Sequence, residues 1–74
     1  SLGSFADAVA DLDVVLRFEP DSAEIYFMRG AAHRLLENRG QAISDLERAL
    51  ELGLPPTLQQ QAEDALNSLR EGFF

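Results

Sequence analysis

Cysteine is absent from this chain of 74 residues, so no disulfide can staple the fold. With a single histidine as well, the usual nitrogen and sulfur ligands of a zinc site are missing. Lysine is absent too, and all six basic residues are arginine, which fits the coding bias of a GC-rich bacterial genome. No apolar run approaches the ~18 residues of a membrane span, and the N-terminus lacks the basic-then-apolar order of a signal peptide. The chain therefore reads as soluble and cytoplasmic, with no membrane partner.

Positive charge is the next shortage. The formal net charge is −7, and the acidic residues are spread from Asp7 to Glu71 instead of forming a tail. Such a surface repels phosphate, which excludes nucleic acid and anionic lipid as natural partners. Length sets a further limit: a chain of this size buries only ~60% of the surface exposed on unfolding. A core this small rarely supplies more than roughly 3–5 kcal/mol, so a neighbouring subunit or flanking sequence would help.

What is present is helical patterning, predicting an all-α chain of about four helices. Ser4 and Asp7 have capping-box spacing, and Phe5, Ala8, Val9, Leu12, Val15 and Leu16 fall on one side of a first helix that Pro20 stops. Asp21 and Glu24 repeat the capping spacing before a second helix, from about Ser22 to Leu36. The turn Asn38-Arg39-Gly40 is short, so a third helix, roughly Gly40 to Leu52, must run back antiparallel and end near Gly53. Pro55-Pro56-Thr57 opens a fourth, whose polar side suits the end of a stack. After it, Phe73-Phe74 could fold back over the stack or dock on another subunit.

Two of these segments are related by a spacing of 34 residues. Ala8-Val9-Ala10-Asp11-Leu12-Asp13-Val14-Val15-Leu16 aligns without a gap on Ala42-Ile43-Ser44-Asp45-Leu46-Glu47-Arg48-Ala49-Leu50. A fixed period of this length marks a helical repeat array, whose units hide their apolar faces only by stacking on one another. Gly30 within the second helix costs ~1 kcal/mol relative to alanine, so a close helix approach is expected there. Tyr26, Gly30 and His33 form the stripe facing the third helix, where the small Ala42 and Ala49 would admit it. Ile25, Ala32 and Leu36 form a second stripe able to pack on Leu12 and Leu16. Arg29, beside Gly30, is expected to pair with Asp45 or another acid of the third helix.

These residues resemble the tetratricopeptide repeat in its bacterial form. Tyr26, Gly30, Ala42, Leu46 and Ala49 match that pattern, as do Ala8, Leu12 and Pro20 in an earlier half repeat, and Ile25 to Ala32 looks like its Tyr-x-x-Arg-Gly-x-Ala version. The resemblance covers about Gly3 to Leu54. It divides the chain into the second helix of an incomplete repeat (1–20), one complete repeat (21–54) and a capping helix (55–74). Departures are His33 where an aromatic is usual, an altered turn at Arg39-Gly40, and Leu54 in place of the closing proline. The outer flank of the first helix, near Phe5, Val9 and Val14, is expected to be uncovered.

The resemblance implies a non-catalytic protein interaction module that takes a peptide or partner helix in a concave groove. That groove would be lined by Glu24, Phe27, Ala31, Arg34 and Leu35, continued by Leu58, Gln61 and Ala65 on the last helix. Phe27 and Leu35 would anchor apolar groups and Arg34 a carboxylate. The family's clamp for chaperone C-termini uses Lys and Asn on these stripes, which Phe27, Met28 and Ala31 do not supply. A rival reading is a homodimer paired through the uncovered first helix. His33 and Glu37, four apart, are too few for a metal site. No phosphate loop or nucleophile motif appears, so neither an enzyme nor a cofactor is expected.

Overall fold

Ser4 opens the first helix. In the computed structural model, which describes residues 4–71, its hydroxyl accepts the Asp7 N–H at 3.4 Å and helix α1 (Phe5–Phe18) follows. The helix closes with the Glu19 N–H on the Val15 carbonyl at 2.8 Å, just before Pro20, which disfavours helical backbone in the residue ahead of it. Helix α2 (Ala23–Leu35) starts one residue later than Asp21 and Glu24 suggest: the cap is Ser22, whose hydroxyl accepts from Ile25 N–H at 3.4 Å. A serine oxygen on Cβ reaches the third amide ahead, and Ser22 is the residue placed to do so.

The turn into α3 (Arg39–Leu52) also departs from expectation. Gly40 lies in the helix as expected, but Arg39 joins it one residue earlier, and the left-handed residue is Glu37, at φ 64°. The backbone explains it. The Asn38 N–H donates to the His33 carbonyl at 2.8 Å and the Glu37 N–H to the Arg34 carbonyl at 3.0 Å, the paired bonds of a Schellman ending. Those two bonds satisfy carbonyls that α2 would otherwise leave open, and they require positive φ at the intervening residue whatever its side chain. Gly53, at φ 102°, ends α3 as expected, and Pro56 is the first residue of α4 (Pro56–Glu71).

Each helix packs on its predecessor, α1 on α2, α2 on α3 and α3 on α4, in an all-α arrangement that turns back at each connection. Leu46, only 1% exposed, is the centre of the core, joined by Ala62 and Leu66 from α4 and flanked by Phe27, Ile43 and Leu50. Ala42 and Ala49 are fully buried beside it. Gly30 is where α2 comes closest, but what it admits is Leu46 and Asp45 rather than the two alanines. The core is lopsided: α1 contributes only Leu16 to the buried set. No helix among the described residues is long and apolar enough to cross a membrane. Phe73 and Phe74 lie outside the described residues.

Candidate functional site

The uneven core leaves an apolar groove of about 310 Å³ between α1 and α2. Helix α1 supplies Phe5, Ala8 and Leu12, spaced by three and four so that they share a face. Helix α2 supplies Phe27, Met28, Ala31, Ala32 and Leu35 by the same periodicity. Every lining side chain is apolar, and three stand well into solvent, Phe5 at 46% exposed, Met28 at 51% and Leu35 at 60%. Exposed apolar groups gathered in one concave place, not scattered singly, are the surface feature that marks a contact site.

Three of the residues expected to line a groove meet here: Phe27, Ala31 and Leu35. The opposite wall is α1, and Glu24, Arg34, Leu58 and Gln61 lie outside this groove. Phe5 and Met28 are lining residues that the sequence reading did not assign to it. The signal that could have found Met28 is its place beside Phe27, four residues before Ala32 and seven before Leu35. Phe27 has a double role, lining the groove while packing on the Leu46–Ala62–Leu66 core.

Across the α1–α2 contact from the groove, a polar cleft of about 380 Å³ brings Val9 and Asp13 against Arg29, His33 and Asp45. Of the flank expected to be uncovered, Val9 therefore faces this cleft and Phe5 the groove, and Val14 is exposed. Arg29 organises the cleft. Its Nε and Nη2 donate to the two carboxylate oxygens of Asp45, both at 2.8 Å, and its Nη1 donates to Asp13 at 2.7 Å. One guanidinium thus ties α1, α2 and α3, in the fork geometry that suits arginine to a carboxylate. Its pKa is raised, chiefly by the Asp45 hydrogen bonds, with burial working in the opposite direction. The ring of Tyr26 lies 5.5 Å below the charge.

His33 is part of the same framework. Its Nδ1 is 3.2 Å from the Asn38 side-chain nitrogen and its Nε2 is 3.9 Å from Asp45. Glu37, four residues on, lies past the end of α2 in the left-handed turn, so the spacing does not place the pair on one helix. Among the described residues, no group of three or more His, Cys, Asp or Glu side chains is placed to hold a metal ion. No buried side-chain nitrogen or oxygen among them lacks a partner. The polar cleft is thus occupied by its own ion pairs, and the apolar groove is the surface with unmet contacts. Comparison with models of known protein families and with solved structures finds no match to this chain.

Proposed function

We propose that the chain is a helical-repeat interaction module of the tetratricopeptide kind, which holds a partner protein by an amphipathic helix or peptide and performs no catalysis. One observation carries this reading: the α1–α2 groove is lined by apolar side chains alone, with Met28 and Leu35 more than half exposed at its rim. Burying such a rim gains roughly 25 cal/mol per Å² of apolar surface, so an amphipathic helix laid along it is favoured over solvent. The 34-residue spacing, the glycine at the α2–α3 contact and the polar outer side of α4 support the repeat assignment. The net charge of −7 argues against nucleic acid or a membrane surface. Glu24 and Arg34 are the polar residues of α2 left to steer the partner's ends.

The test is fluorescence anisotropy with a labelled 18-residue amphipathic Leu/Ala helix. Saturable binding that is lost in Met28→Glu and Leu35→Glu supports the groove. No saturation up to about 1 mM, or equal binding by both variants, overturns it. Phe27→Ala is unsuitable because Phe27 also packs on the core. A second reading, a homodimer through α1, is favoured by the exposure of Val14 and Phe18, four apart on that helix. Light scattering separates the two readings, since a concentration-independent monomer removes the dimer.

A further inference from the structure

The internal repeat describes what the groove is shaped to hold. Adding 34 to four of the five groove residues of α2 gives apolar residues packed in the core from α4, while the fifth, Phe27, becomes the exposed Gln61: Met28 becomes Ala62, Ala31 becomes Ala65, Ala32 becomes Leu66 and Leu35 becomes Leu69. The same step turns Leu12 of α1 into Leu46 of α3. In the second copy that ring of residues is filled. Leu46, Ala62 and Leu66 with Ala65 and Leu69 form the apolar cluster into which Phe27 packs. In the first copy the corresponding ring of Leu12, Met28, Ala31, Ala32 and Leu35 is the open groove.

A second, electrostatic correspondence runs beside it. Asp45 is 6% exposed and receives two hydrogen bonds from Arg29. Its counterpart 34 residues earlier, Asp11, is exposed and makes no hydrogen bond or ion pair among the described residues. Close approach is the third element. In the second copy Gly30 rests against Leu46, so near that a Cβ would stand 2.9 Å from its Cγ. The first copy offers Leu12 at that place.

We infer that the groove takes one kind of occupant, a partner helix carrying an aromatic residue, then an arginine two positions on, then a glycine next to it. The aromatic ring fills the pocket between Leu12 and Leu35, the arginine pairs with Asp11, and the glycine lets the helix settle on Leu12. This rests on the groove reading above and adds the occupant's sequence to it. Helix α1 carries a carboxylate at the repeat position where α3 uses one, so the complementary charge is positive and its place along the helix is set. Asp11 has no such role in the folded chain by itself.

The probe is a synthetic peptide with the sequence of residues 22–36, which contains Phe27, Arg29 and Gly30 in that order. It is titrated into the full chain, followed by anisotropy and by amide shifts in heteronuclear NMR. Expected are saturable binding and shifts at Ala8, Asp11, Leu12 and Leu35. Weakening of at least tenfold is expected when the peptide carries Phe27→Ala or Arg29→Asp. The charge swap is decisive: Asp11→Arg in the protein weakens the natural peptide and restores the Arg29→Asp peptide. Equal binding by all peptides, with shifts in the groove, overturns the inference and leaves the groove reading standing. Shifts centred on Asp45 and Leu46 instead show exchange with the resident α2 and overturn it as well. A tight dimer of the chain alone that dissociates in Leu35→Glu makes a second copy the occupant, and again the inference fails. If neither this peptide nor the Leu/Ala helix binds, both readings fall.

Discussion

Gly30→Ala tests the packing that orients α2 and α3. In an open helix this change gains about 1 kcal/mol, because alanine loses less backbone freedom on folding. At Gly30 the new Cβ would lie 2.9 Å from Leu46 Cγ, and 3.2 Å from both Leu46 Cδ2 and Asp45 Cβ. Carbon atoms settle at about 3.5–4.0 Å, so Leu46 or the helix carrying it must move by half an ångström or more. Neither moves readily. The closest atom is a branch point in the most buried large side chain of the chain, and Asp45 is held by Arg29. Overpacking of this kind costs about 1–3 kcal/mol, so the net expectation is a loss of about 1 kcal/mol. In a domain of this size that lowers Tm by roughly 4–8 °C. Urea and thermal melts followed at 222 nm measure it. Gly40→Ala is the control, since a Cβ there meets nothing within 4 Å, and it should stabilise by about 0.5 kcal/mol. A rise in Tm for Gly30→Ala matching that of Gly40→Ala would refute the close-approach argument.

The remaining expectations use the same melts. Asp45→Ala strands Arg29 in a partly buried place and should cost about 2–4 kcal/mol, whereas Asp13→Ala, with its side chain 48% exposed, should cost under about 1 kcal/mol. Equal losses would mean that the fork to Asp45 has no special weight. Glu37→Gly relieves the left-handed conformation at φ 64° and should raise stability by about 0.5–1 kcal/mol; a fall would point to a role for the Glu37 side chain itself. Leu66→Ala removes a core side chain 3% exposed and should cost about 2–5 kcal/mol, enough to leave much of the population unfolded at 25 °C. Met28→Glu and Leu35→Glu should leave melting within about 0.5 kcal/mol of the natural chain, and a large loss would place these residues in the core instead of at the groove.

The helices were legible because caps and apolar spacing are local. Ser4, Gly53 and Pro56 act where their chemistry predicts, and Arg29 finds Asp45 because the acid lies at the same level of the antiparallel partner. The misreadings come from choices that only the folded backbone makes. The turn Asn38-Arg39-Gly40 gave no sign of a left-handed residue at Glu37, where two hydrogen bonds at the end of α2 require positive φ and offset the strain. Helix periodicity placed Phe27, Ala31 and Leu35 on one stripe. Which neighbour faced that stripe depends on the crossing of α1 and α2, which the spacing of apolar residues along each helix does not specify.

With a lopsided core, the proposed binding would tie folding to occupancy of the groove. On the proposed repeat reading, the ring around Phe27 and the open groove share one design, of which the ring is filled and the groove is not. Closing the second would bury the rim of Met28 and Leu35 and give Asp11 a partner, adding contacts of the same kind that secure α3 and α4. A ligand present at 100 times its Kd adds about 2.7 kcal/mol to the folded state, comparable to the roughly 3–5 kcal/mol that a core of this size provides. Substitutions at its rim leave the free chain nearly as stable as before and remove the stabilisation on binding, whereas substitutions at Leu46 or Leu66 reduce both. That separation distinguishes a surface meant to receive a helix from a core that is merely incomplete.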